Sequence, residues 1–119
     1  MVVGECYDPA PEPEQRTIIV LVVPCTGPHK YEIYANAFSD LGKYEEYPGE
    51  NTMRNFAEER CYELFRPFVG QKWNASQLDI ETWYPTPGSW YRERDRQISC
   101  ALFDRKSKDL IGSARNSLY

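Results

Sequence analysis

The chain has no Cys-x-x-Cys, a single His, and no apolar run longer than Ile18–Val23. Each absence closes off a class of function. With one imidazole and no paired thiols, zinc ribbons and His-rich metal centres lack their ligands. The apolar run is far too short to cross a bilayer. Gly-x-Ser-x-Gly, a phosphate loop and a paired-carboxylate signature are all missing, so the usual hydrolase and nucleotide sites have no foothold. Basic residues are in the minority, 14 Lys and Arg against 18 Asp and Glu, for a net charge of -4. That balance argues against nucleic acid as a partner and against adhesion to anionic lipid. The N-terminus, Met1-Val2-Val3-Gly4-Glu5-Cys6, lacks the basic and long apolar regions of a secretory leader.

What is present fits one domain spanning 1–119, with short flexible ends. At 119 residues and 41% hydrophobic, the chain can bury one core of useful size. Nine Tyr, five Phe and three Trp exceed what such a core consumes, so some aromatics are expected at the surface, where they mark contact sites. Four widely spaced cysteines, Cys6, Cys25, Cys61 and Cys100, point to two disulfides and an oxidising compartment. The alternative is four buried thiols in a reducing one. Disulfides without a leader imply a mature domain excised from a longer precursor.

Along the chain, Val2–Tyr7 reads as a short edge strand and Asp8–Glu14 as a Pro-rich acidic surface loop. The β-branched run Thr17–Val23 reads as a central strand buried on both faces. Pro24-Cys25-Thr26-Gly27-Pro28 forms a corner carrying His29. Beyond it Lys30–Phe38 alternates, with Tyr31, Ile33, Ala35 and Ala37 on one face. This strand is expected to pair with Thr17–Val23. Residues 51–68 carry Met53, Phe56, Cys61, Leu64, Phe65 and Phe68 at helical spacing, with Asn51 or Thr52 as cap and Pro67 and Gly70 as stop. Leu78–Trp83, Gln97–Phe103 and Leu110–Ala114 read as strands. The expected fold is α+β: an antiparallel sheet of about four to five strands with one main helix, about 51–68, packed on one face, and two disulfides.

The ordered motifs Gly4-Glu5-Cys6-Tyr7, Pro24-Cys25-Thr26-Gly27-Pro28-His29 with Glu32, Glu58-Glu59-Arg60-Cys61, Tyr84-Pro85-Thr86-Pro87-Gly88-Ser89-Trp90, Asp95-Arg96-Gln97-Ile98-Ser99-Cys100 and Ile111-Gly112-Ser113-Ala114 resemble the septum-formation domain family of actinobacterial cell-envelope proteins. The resemblance covers nearly the whole chain. The family usually has Gly before its Asp-Arg pair, where this chain has Arg94. The resemblance implies an extracytoplasmic, usually membrane-anchored domain with a link to septation and no characterised enzyme activity.

Four cysteines allow three pairings. Cys61 lies on the apolar helix stripe and Cys100 on the strand face of Ile98 and Leu102, which selects Cys61–Cys100 and leaves Cys6–Cys25. His29 and Glu32 form a structural or binding corner: too few ligands for zinc, with the imidazole free to bond a carbonyl or the carboxylate. No catalytic residues, metal or cofactor are expected. The candidate partner-binding patch is Trp83, Tyr84, Trp90, Tyr91, Arg92 and Arg94, because Trp, Tyr and Arg dominate interface cores. Arg96 is expected to pair with a carboxylate. The expected function is a non-catalytic interaction module whose partner is an envelope protein or wall polymer. The alternatives are an accessory subunit of a larger membrane assembly, or a wall-acting enzyme with Glu32 or a helix-start Glu as acid.

Overall fold

The computed structural model describes residues 1–9, 20–42 and 45–119. Along them run β1 (Cys6–Pro9), β2 (Val20–Val23), β3 (Pro28–His29), β4 (Tyr31–Phe38), α1 (Glu50–Val69), β5 (Leu78–Trp83), α2 (Pro87–Arg92), β6 (Gln97–Asp104) and β7 (Leu110–Ile111), with a 3-10 turn at Trp73–Ala75. Five strands make one antiparallel sheet in the order β2-β1-β4-β6-β5, and β3 pairs with β7 beside it. The fold is α+β.

Helix α1 covers one face of the sheet. Met53, Ala57, Cys61, Phe65 and Phe68 recur every three or four residues, and all are buried. They pack on Tyr34, Ala37, Leu78, Ile98, Cys100 and Leu102. Burying each large apolar side chain contributes about 1.5–3 kcal/mol. The start differs from expectation. Gly49 is the N-cap and no side chain caps the helix, while Asn51 and Thr52 lie inside its first turn. Pro67 does not stop it either. It sits in the last turn, where a missing N–H costs only the bond to the Glu63 carbonyl. The end comes at Gly70, at φ 87, whose N–H bonds the Arg66 carbonyl. A Cβ there would stand 2.8 Å from Leu118 Cδ2. The C-terminal tail is not loose: Asn116 and Leu118 donate to the Phe68 and Val69 carbonyls, satisfying acceptors that a helix end leaves open.

The order of the first strands corrects the sequence reading. The Thr17–Val23 run was expected at the centre; its described part, β2, is the sheet edge, with Leu21 and Val22 49% and 65% exposed. Thr17–Ile19 and most of the Pro-rich loop lie outside the described residues. The expected edge strand, β1, is instead interior, between β2 and β4. Lys30–Phe38 therefore pairs not with the β-branched run but with β1 and β6. Pro9 is tolerated in β1 because only Cys6 and Tyr7 pair with β4.

The alternation of β4 also breaks. Its register against β6 shifts between Ile33 and Ala35. The bulge leaves Tyr34 as an extra residue on the helix side and brings Ala35 to that side too; the Tyr34 hydroxyl donates to the Cys61 carbonyl at 2.6 Å and its ring meets Phe65 and Phe68. Ile33 joins Tyr7 and Ala101 on the opposite face, while Ala37 packs in the helix-side core. Of Leu110–Ala114, only Leu110 and Ile111 pair, with β3. Helix α2 lies between the strands expected at Leu78–Trp83 and Gln97–Phe103, where the sequence reading names no element. Thr86 and Ser89 form a reciprocal capping box, and Pro87 opens the first turn.

The disulfides are Cys6–Cys25 and Cys61–Cys100, separated by 19 and 39 residues. Restricting loops of those lengths in the unfolded chain stabilises by about 3 and about 4 kcal/mol. Cys61 and Cys100 are sealed beneath the helix, whereas Cys25 is partly exposed. Under native conditions a thiol reductant is expected to open Cys6–Cys25 first. Timed alkylation and peptide mapping should label Cys6 and Cys25 before Cys61 and Cys100; equal rates would mean that both open only on global unfolding.

Candidate functional site

The helix-free face of the sheet carries the most developed site. In β5, Glu81 and Trp83 project to the same side. Tyr7 of β1 comes from the far half of the sheet. Its ring packs with Ile33 and Ala101, and the small Ala101 leaves room for it to cross the intervening strands. The Trp83 indole N–H donates to the Tyr7 hydroxyl oxygen at 2.9 Å, and the Tyr7 hydroxyl donates in turn to Glu81 Oε2 at 3.3 Å. Tyr31 stacks on Tyr7 with centroids 4.9 Å apart, and Trp83 meets it edge-on at 6.3 Å.

These side chains wall a cavity of ≈ 740 Å³ on which Tyr47, Tyr84 and Pro85 also border, with Glu50 and the Thr86–Pro87 turn at its margin. Burial pushes the Glu81 carboxyl above its ordinary value, only partly offset by the Tyr7 hydrogen bond. Burial likewise raises the Tyr7 phenol, against the Trp83 donor and with help from the Glu81 charge. The arrangement is a half-desolvated carboxylate set among rings, a feature typical of binding and catalytic clefts.

Of the residues expected in a partner patch, Trp83 and Tyr84 line this cavity. Trp90 does not: it is 1% exposed, a member of the helix-side core, and unavailable to a partner. Its indole N–H donates to the Glu45 carbonyl at 2.8 Å, and the Arg96 guanidinium stacks 3.3 Å from its ring centroid. Arg96 bonds the carbonyls of Gly42, Trp90 and Asp95 rather than a carboxylate. The Tyr91 hydroxyl accepts from the Tyr47 N–H, and the Tyr47 hydroxyl donates to the Pro85 carbonyl. So α2 and Arg96 grip the chain's own stretch before α1 and set Tyr47 as a cavity wall. Arg92 folds back on the Gly88 carbonyl. Arg94 stands at φ 53, in the left-handed region that suits the glycine of the resemblance.

His29 and Glu32 are both buried, and neither is among the residues lining this cavity. His29 Nδ1 lies 2.9 Å from the Gly27 carbonyl, and Nε2 has no partner among the described residues. Glu32 accepts from Ser113 Oγ at 2.6 Å and from the Ala114 N–H at 2.8 Å, so it anchors the segment after β7 rather than pairing with His29. Cys6 Sγ, Cys25 Sγ and a Glu32 oxygen lie within 4.8 Å of one another, but sulfurs joined in a disulfide offer no thiolate to a metal.

The sequence reading missed Tyr7, Tyr31, Tyr47 and Glu81. The period-2 pairing of Glu81 with Trp83 was a usable signal; the approach of Tyr7 to both was not, because it depends on strand order.

This is a disulfide-stapled α+β domain with an aromatic cavity on its open sheet face. The septum-formation family matches residues 3–118, and the chain belongs to it. No curated protein and no solved structure matches it. Two disulfides in such a domain fit an extracellular location, and no helix among the described residues is long and apolar enough to cross a membrane.

Two predictions follow from the geometry. Trp90→Ala is expected to cost about 3–5 kcal/mol in urea unfolding, the range for a buried aromatic, instead of weakening binding in a stable fold. For Glu81, a raised folded value means that folding favours the protonated acid. Its contribution is fully present below the unfolded value and is lost as pH rises through the folded one. Glu81→Gln should therefore match the parent's melting temperature near about pH 4 and exceed it near about pH 7; a lower value at neutral pH would contradict the desolvation account.

Proposed function

We propose that this domain is a non-catalytic, extracytoplasmic interaction module of the actinobacterial cell envelope, linked to cell division, that takes its partner in the aromatic cavity. A tether outside this chain would hold it at the membrane. The observation that carries the reading is the cavity itself: rigid Tyr and Trp walls, already hydrogen-bonded to one another, beside a carboxylate. Preformed aromatic surface binds at small entropic cost.

One observation favours a second reading, a wall-acting hydrolase. Glu81 and the helix-start Glu50 border the same cavity, and a raised carboxyl suits a general acid. Glu32, fully buried and doubly bonded, is not placed to act as that acid.

The test uses the immobilised domain with solubilised envelope proteins and purified peptidoglycan. Trp83→Ala and Tyr31→Ala are expected to retain the bound envelope component at least about tenfold more weakly than the parent, as for loss of an interface anchor. Arg60→Ala, on the solvent side of α1, should bind as the parent does. Equal retention by all variants would overturn the cavity reading. Release of soluble peptidoglycan fragments, abolished by Glu81→Gln, would replace it with the hydrolase.

A further inference from the structure

We infer that the cavity selects a cationic side chain, a lysine or arginine of an extended partner polypeptide, which enters between the rings and pairs with Glu81. This rests on the cavity being a binding site and adds what it binds.

Glu81 accepts one hydrogen bond, from Tyr7, and its other oxygen has no partner among the described residues. Several cations among the described residues are engaged elsewhere. Lys30 pairs with Asp109, Arg60 with Glu63 and Arg105 with Asp79, while Arg96 lies on Trp90. Among the described residues that line the cavity there is no Lys or Arg, and Glu50 adds a second negative charge. A carboxylate is thus held half out of water with one hydrogen bond, from Tyr7, and burial still raises its protonation. A cation would reverse that cost, and the rings around it favour the same charge, because aromatic faces attract cations. Charge and ring chemistry point the same way.

The occupant is a polypeptide for two reasons. A volume of ≈ 740 Å³ is several times that of one side chain, so flanking residues must fill it too. β5, which supplies Glu81, Thr82 and Trp83, is the end strand of the sheet among the described residues. An extended segment can lie along that edge and send alternate side chains into the cavity.

The experiment is selection of a displayed library of random heptapeptides on the folded parent domain, Glu81→Gln and Trp83→Ala in parallel. The parent should enrich peptides sharing a Lys or Arg at one position. The best of them, synthesised with capped ends, should bind Glu81→Gln about tenfold more weakly, the scale of a charge-assisted pair. Replacing its basic residue by Met should cost the same, and the two changes together should cost little more than either alone, which marks direct coupling. Enriched peptides without a basic residue, or with affinity unchanged by Glu81→Gln, would overturn the cationic inference while leaving the cavity reading intact if Trp83→Ala still abolished binding. No enrichment that depends on Trp83 would overturn both. Binding of neutral peptidoglycan fragments that no enriched peptide displaces would assign the cavity to glycan and overturn the inference.

Discussion

The bond between Cys61 and Cys100 ties the buried stripe of α1 to a strand well inside the sheet, and Tyr34 binds the same helical turn through the Cys61 carbonyl. A covalent link and a buried hydrogen bond at one point leave the helix little freedom to slide. Once it is pinned there, only one face of the sheet can be covered by it. The other face must shield its apolar surface with its own side chains. Tyr7 and Tyr31 stack, Trp83 closes edge-on, and the hydrogen bonds run from indole to phenol to carboxylate. The cavity is what remains between these rings and the stretch before α1.

That stretch is held by residues which composition alone would assign to an interface. Trp, Tyr and Arg are the residues that dominate protein contacts because they offer broad rigid surface and oriented donors. Here Trp90, Tyr91 and Arg96 use those properties on their own chain. The physics is the same in either case. What differs is whether a segment of the same chain is within reach, and this is settled by the short helix α2, whose capping box and Pro87 start it at the point that turns Trp90 inward.

The corner of His29 and Glu32 shows a related division. A carboxylate removed from water must find donors, and Glu32 finds them in Ser113 and the Ala114 amide, distant in sequence. The corner and the segment after β7 therefore depend on each other, with the Cys6–Cys25 bridge holding the corner to β1.

The helix, its buried face, the later strands and both cysteine pairings were legible in the sequence because each rests on local periodicity: residues at helical spacing place Cys61 inward, and alternation places Cys100 beside Ile98 and Leu102. Two of the residues that line the cavity, Trp83 and Tyr84, were legible from residue type instead. Strand order was not. A β-branched run reads as central whether it has two neighbours or one, and only the pairing of β1 with both β2 and β4 puts Val20–Val23 at the edge. Nor was the bulge at Tyr34, since an inserted residue leaves the pattern of residue types unchanged while reversing the face of those beyond it. The meeting of Tyr7 with Glu81 and Trp83 spans more than seventy residues of sequence. It exists because β4 and β6 lie between those strands with a small Ala101 on the shared face, and long-range packing of that kind is decided by the tertiary structure alone.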